Sequence, residues 1–181
     1  MNTAATAPAW QIVVMGVSGC GKSTLAASLS EQMQLEMVDG DDLHRPESVA
    51  KMRAGIPLQD EDRWPWLDRI GQCLDAPVQQ GHGRVVACSA LKRVYRDRIR
   101  QHASRVLFVF LDGSAETIRQ RMALRVGHYM PPELLTSQLA TLEHPEAQES
   151  DVLRLNIGAS VETLTQQAIA GLQALALAHQ P

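Results

Sequence analysis

The chain has 181 residues, 45% of them apolar and 20% charged, with a formal net charge of −3. That length accommodates one domain with a sizeable core, and the composition is ordinary for a soluble globular protein. No global basic field argues for nucleic acid or an anionic membrane, and no run approaches the ~20 apolar residues of a membrane span.

Residues 1–9 have neither a basic region nor an apolar centre, so they read as a short disordered tail rather than a signal peptide, leaving 10–181 as a single domain. Cys20, Cys73 and Cys88 form no C-x-x-C pair and read as reduced thiols of a cytoplasmic protein.

The apolar run 12–15 leads into Gly16, Val17, Ser18, Gly19, Cys20, Gly21, Lys22, Ser23 and Thr24, followed by helix-forming residues. This is G-x-x-x-x-G-K-[ST] between a strand and a helix. Small residues let successive N–H groups turn inward around a phosphate, and the helix points its positive end at the same place. Lys22 can then reach the outer phosphates, and the Ser23 hydroxyl can help to hold Mg²⁺. The stretch is expected to bind a nucleoside triphosphate.

Strands are expected at 12–15, 36–38, 85–88, 106–111 and 152–155. Helices are expected at 23–34, 46–54, 65–79, 92–101, 115–125, 133–142 and 161–179. The alternation is that of an α/β protein with a parallel sheet covered on both faces. Gly55 reads as a helix stop, Pro77 as a kink or early end, and the break at 127–132 as the place of an inserted lid.

A kinase-like site needs a carboxylate near its metal, and two strand ends compete for that role. The strand 106–111 ends in Asp112, but Asp112-Gly113-Ser114 is also a turn whose side chains can cap the next helix. The strand 36–38 delivers Asp39, Asp41, Asp42 and His44. Clustered like charges are costly unless a cation or a hydroxylated ligand compensates them, so Asp39 and Asp41 carry the expectation of metal and substrate.

Lys51, Arg53 and Arg63 follow that cluster and can clamp an anionic substrate, whereas Trp64 and Trp66 read as packing residues. Ser89 and Lys92 follow the strand 85–88 and so fall on the ligand side of a parallel sheet. Arg121 and Arg125 share a helix face ahead of the break and can stabilise charge on a transferring phosphoryl group. The six histidines show no metal-ligand spacing.

Several segments together resemble the P-loop gluconokinases of the thermoresistant type. They are Gly16–Ser23 with Met15 before it, Asp39-Gly-Asp-Asp-Leu-His44, Lys51-Met, Gly55-Ile-Pro-Leu58, Asp60-Glu-Asp-Arg63, Pro65-Trp-Leu67, Cys88-Ser-Ala-Leu-Lys92, Tyr95-Arg-Asp97, Gly127-His128, Ser137-Gln138 and Thr141-Leu-Glu143.

The resemblance implies a P-loop NTPase fold like that of shikimate and nucleoside-monophosphate kinases. Its five-stranded parallel sheet would have the order 2-3-1-4-5, with helices on both faces, a small helical lid at about 120–135, and a homodimeric assembly. It also implies phosphorylation of D-gluconate at the 6-hydroxyl by ATP. Gly16 to Thr24 would hold the triphosphate, and Ser23, with Asp39 through water, would hold Mg²⁺. Asp41 would face the substrate hydroxyl. His44, Lys51, Arg63, Lys92, His128 and Gln138 would grip gluconate, while Lys22, Asp41, Arg121 and Arg125 would form the catalytic set. A different small-molecule kinase, or an NTP-dependent switch without transfer activity, are the rival readings. Acceptor-stimulated turnover separates the three.

Overall fold

The computed structural model describes residues 9–76, 82–123 and 132–179. Five strands form one parallel sheet: β1 (Gln11–Met15), β2 (Glu36–Asp39), β3 (Arg84–Ala87), β4 (Val106–Asp112) and β5 (Val152–Asn156). Their order is β2-β3-β1-β4-β5, as the family resemblance implies. Seven α-helices accompany them among the described residues: α1 (Lys22–Met33), α2 (Pro46–Arg53), α3 (Asp60–Asp75), α4 (Arg93–His102), α5 (Ala115–Ala123), α6 (Pro132–Thr141) and α7 (Val161–Ala178). None is long and apolar enough to cross a membrane.

Side chains alternate across a strand, and β1 uses both faces. Ile12 and Val14 pack with Leu25 and Leu29 of α1 and Leu164, Ala168 and Leu172 of α7. Val13 and Met15 pack with Trp66, Leu67, Ile70 and Leu74 of α3 and Tyr95 and Ile99 of α4. Burial on both faces explains why these strands read as continuous apolar runs.

The register brings three chain reversals to one edge. Val14 pairs with Ala87 in β3, and Ala87 pairs with Asp39 in β2. The residues that follow, Gly16, Ser89 and Gly40, therefore lie at the carboxyl ends of adjacent strands, the position where open α/β sheets take their ligands.

Gly55 ends α2 as expected. Its N–H bonds to Met52 O at 3.1 Å and that of Ile56 to Lys51 O at 2.9 Å, with Gly55 at φ +71°. The third helix departs from its expected start at Pro65. It begins at Asp60, because Asp62 accepts a 3.0 Å bond from the Gln59 N–H and so caps an earlier turn. Pro65 lies inside α3. The helix ends at Asp75, with Ala76 as its C-cap, short of the expected 79. Pro77 and the tail 1–8 lie outside the described residues, and of the lid region only the two ends fall within them.

Candidate functional site

β1 delivers Met15 into a tight loop whose backbone only glycine adopts freely. Gly16 and Gly19 have φ of +145° and +82°. A Cβ on Gly16 would lie 2.8 Å from Cys20 Sγ, and one on Gly19 would lie 2.6 Å from Met122 Cγ. Val17 and Cys20 are buried and anchor the loop from beneath. Burial also pushes the Cys20 thiol up, and its N–H turns back to Val17 O at 3.3 Å.

Gly21 is the N-cap of α1 and no side chain caps that helix, nor does an acidic residue stand in its first turn. The first N–H groups of α1 thus keep their capacity for an anion. Lys22 Nζ lies back along the loop, 3.1 Å from Val17 O.

Beside the loop is a cavity of about 330 Å³ whose lining includes Gly21, Thr24, Arg121, Ala159 and Ser160. Arg121 donates to the Ile157 carbonyl and so joins α5 to the turn after β5. The structure places Arg121 on this flank of the loop. Arg125 and His128 lie outside the described residues.

β2 ends in Asp39, which caps the 3-10 turn Gly40–Leu43 by accepting from the Asp41 N–H at 3.0 Å. That cap occupies one oxygen of one carboxylate, so it does not account for the rest of the acidic cluster. Gly40 is packed so tightly on β3 that a Cβ would meet Ala87 O at 2.6 Å. Its carbonyl accepts from Trp66 Nε1 at 2.7 Å.

The Trp66 ring stacks on His44, with centroids 4.2 Å apart and planes 12° from parallel. Trp66 is thus more than a packing residue, since it pins both ends of the acidic turn. Asp41 is open to solvent, yet partial desolvation in the cleft and then the negative Asp39 raise its pKa. Burial, with help from nearby Arg63, lowers that of His44, so its imidazole is neutral at pH 7. His44 Nδ1 and Arg63 Nε are buried without hydrogen-bond partners among the described residues.

The expected cations divide into paired and unpaired groups. Lys51 pairs with Asp62 at 2.7 Å, and Lys92 pairs with Asp60 at 3.0 Å. Asp60 also accepts from Tyr95 OH at 2.5 Å, and these contacts, Tyr95 before Lys92, hold its carboxyl below the usual range. Arg53 is exposed. Arg63 donates to Leu58 O at 3.1 Å and lies 5.7 Å over the Tyr95 ring, with no carboxylate partner among the described residues. Asp60, Asp62 and Tyr95 are not singled out as site residues by the sequence, since their pairing with Lys92 and Lys51 depends on how α3 is placed.

Gln138, expected to touch substrate, reaches the phosphate loop: its Oε1 accepts from the Ser18 N–H at 2.6 Å. Asp112 is engaged by Arg154 through Nε at 2.8 Å, and the cap of α5 is Ser114, which accepts from the Thr117 N–H at 3.1 Å. The competing carboxylate therefore has a structural occupation, and Asp39 and Asp41 remain the pair beside the loop.

Ser23 is exposed at the first turn of α1, and Asp39 stands at the neighbouring carboxyl edge. No group of three metal-ligating His, Cys, Asp or Glu side chains occurs among the described residues. One hydroxyl and one carboxylate suit Mg²⁺, which is held largely by phosphates and water.

A family model described as an AAA domain matches residues 12–145. The thermosensitive gluconokinase of Escherichia coli (strain K12) is 41% identical over 155 residues, covering 86% of this chain and 83% of that protein. The gluconokinase of Gluconobacter oxydans (strain 621H) is 42% identical over 163 residues, covering 90% and 91%. Among solved structures, a gluconokinase from Sinorhizobium meliloti 1021 superposes with a TM-score of 0.84 at 45% identity, covering 93% of this chain and 94% of that one.

Proposed function

As a member of the gluconokinase family, the chain is a gluconate-phosphorylating enzyme, and we propose that it moves the γ-phosphoryl group of ATP to the 6-hydroxyl of D-gluconate. The products are 6-phospho-D-gluconate and ADP. One observation carries the assignment of sites. The uncapped α1 N-terminus stands at the end of β1, and beyond β3 at the same edge stands Asp41, beside the unpartnered polar atoms of His44 and Arg63.

In this reading the uncapped N–H groups at the start of α1, with the Lys22 ammonium, hold the β- and γ-phosphates. The cavity flanked by Arg121, Ala159 and Ser160 takes the adenosine. Ser23 and Asp39 hold Mg²⁺, which when bound neutralises charge on the phosphates.

Phosphoryl transfer has a loose transition state, so alignment counts for more than forceful deprotonation. Asp41 orients the 6-hydroxyl and takes its proton late, and its raised pKa makes it a better acceptor than an ordinary aspartate. Arg63 is the cation for the gluconate carboxylate, because Lys51 and Lys92 already face carboxylates. His44, neutral and with Nδ1 unpaired, offers a hydrogen bond to a sugar hydroxyl.

The test is ADP release from MgATP in the presence of D-gluconate, shikimate, glucose, AMP or no acceptor. Stimulation by gluconate is expected. Stimulation by another acceptor overturns the substrate, and an equal rate in every well overturns the transfer reaction.

A further inference from the structure

We infer that Gln138 and Glu143 are positioning residues that tie the acceptor-side turn 89–93 to the phosphate loop, so that α6 sets the distance between donor and acceptor; the inference rests on the kinase reading above. The two residues stand at and just beyond the end of α6. Gln138 Oε1 accepts from the Ser18 N–H at 2.6 Å. Ser18 is the third residue of the loop, and its N–H is the one this side chain occupies, while the Cys20 N–H turns back to Val17 O at 3.3 Å.

Five residues later the chain grips the other site three times. The Glu143 N–H donates to Leu91 O at 2.9 Å. Its carboxylate accepts from the Arg93 N–H at 2.6 Å, supplying the cap that Lys92, the N-cap of α4, does not provide with its own side chain. Its carbonyl accepts from Arg96 Nη1 at 3.1 Å.

The turn that is gripped needs holding. Ala90 has φ +41°, a left-handed conformation that a residue with a Cβ seldom adopts. Buried Arg96 also binds the carbonyls of Ala90 and Leu91, at 3.2 and 3.3 Å. From this turn Lys92 reaches Asp60 on the acceptor side, while Ser89 O accepts from the Gly16 N–H at 3.3 Å on the nucleotide side.

Leu135 buries α6 in the layer that contains α1 and α7, whereas Glu143 bonds across to α4 in the opposite layer. α6 and its tail thus cross the reactive edge of the sheet, and the polar contacts at Gln138 and Glu143 set its placement. Reacting groups aligned by a remote contact lose rate, rather than affinity, when that contact is cut.

The experiment compares wild type with Gln138→Met, Glu143→Ala, Glu143→Gln and the Gln138→Met/Glu143→Ala double variant. It measures gluconate-dependent ADP release and, by calorimetry, MgADP affinity. Met keeps the length of Gln138 without its acceptor; Gln at 143 keeps an acceptor for the Arg93 N–H. Each disruptive single variant is expected to lose kcat by at least about tenfold, with MgADP affinity within about twofold of wild type. The double variant should lose no more than the worse single one, because either cut frees the same element, and Glu143→Gln should recover most of the rate.

Unchanged kcat, a loss confined to KM, or losses that multiply in the double variant overturn the inference. Gln138→Met alone decides the matter if Glu143→Ala does not fold, since Gln138 is half-exposed. Failure of gluconate to stimulate wild type overturns the kinase reading instead.

Discussion

The indole of Trp66 lies flat against the imidazole of His44, 4.2 Å away, while its Nε1 holds the carbonyl of Gly40 at 2.7 Å. One buried side chain in α3 therefore fixes both the start of the acidic turn and the residue that follows it. Trp66→Phe keeps an aromatic face but leaves a buried carbonyl unsatisfied, a loss of about 1–3 kcal/mol. Urea denaturation should show that loss, and the KM for gluconate should rise while the KM for ATP stays near wild type.

Asp41 is the carboxylate assigned to the acceptor hydroxyl. Asp41→Asn should lower kcat by about 10²-fold or more, in the range of a lost general base, and leave MgADP binding within about twofold. Near-normal turnover in this variant would refute the assignment.

The raised pKa of Asp41 also has a sign in the pH profile. The active form is the carboxylate, so kcat/KM falls as pH drops through that pKa. The acid limb should stand above the ordinary aspartate value, and residual activity in Asp41→Asn should lack it.

Arg63 presents a planar fork with a buried, unpaired Nε. Arg63→Lys keeps the charge and removes the fork, so the KM for gluconate should rise about tenfold or more. Lys51→Met, by contrast, removes a partner of Asp62 rather than a free cation, and should change that KM less. An equal effect of both on KM would reverse the assignment.

Stability has its own pH dependence through Glu149. Burial pushes this carboxyl up, but hydrogen bonds from Arg96 and Arg100 outweigh burial and hold it at about 2, below the ordinary 4.5. Because the folded-state pKa is depressed, the contribution is complete above the unfolded-state value and disappears as pH falls from about 4.5 towards 2. It amounts to something on the order of 3 kcal/mol. Urea midpoints should fall across that window. Glu149→Gln should be less stable by about 3–5 kcal/mol at neutral pH, because it leaves the buried Arg96 charge without its partner.

The parallel sheet and the phosphate loop were legible because their signals are local: apolar runs of strand length, and small residues between one strand and one helix. The strand order came with the family resemblance. The start of α3 was not legible, since its N-cap is Gln59, a residue type without the short side chain that usually marks a helix start. The acidic turn could be found by its charge density, but the support that Trp66 gives it depends on a contact across 26 residues.

The partners of Lys51 and Lys92 were hidden for a different reason. Sequence shows that both charge signs are abundant in 51–63, but pairing depends on how the first turn of α3 meets Lys51 of α2 and Lys92 at the start of α4. Gln138 likewise could be placed near substrate by resemblance, whereas its bond to Ser18 spans 120 residues.

Because successive side chains of β1 point to opposite sides, the sheet is also a partition. Val13 and Met15 belong to the layer of Trp66 and Tyr95, on the side of the proposed acceptor site, whereas Ile12 and Val14 belong to the layer of Leu25 and Leu164, which borders the cavity proposed for the nucleotide. Drift in one layer reaches the other chiefly where the tail of α6 spans both, since Leu142 packs against each. A lineage built on this scaffold can retool its choice of alcohol by rewriting α3, provided it keeps the Arg93 and Arg96 contacts through which α4 meets the tail of α6.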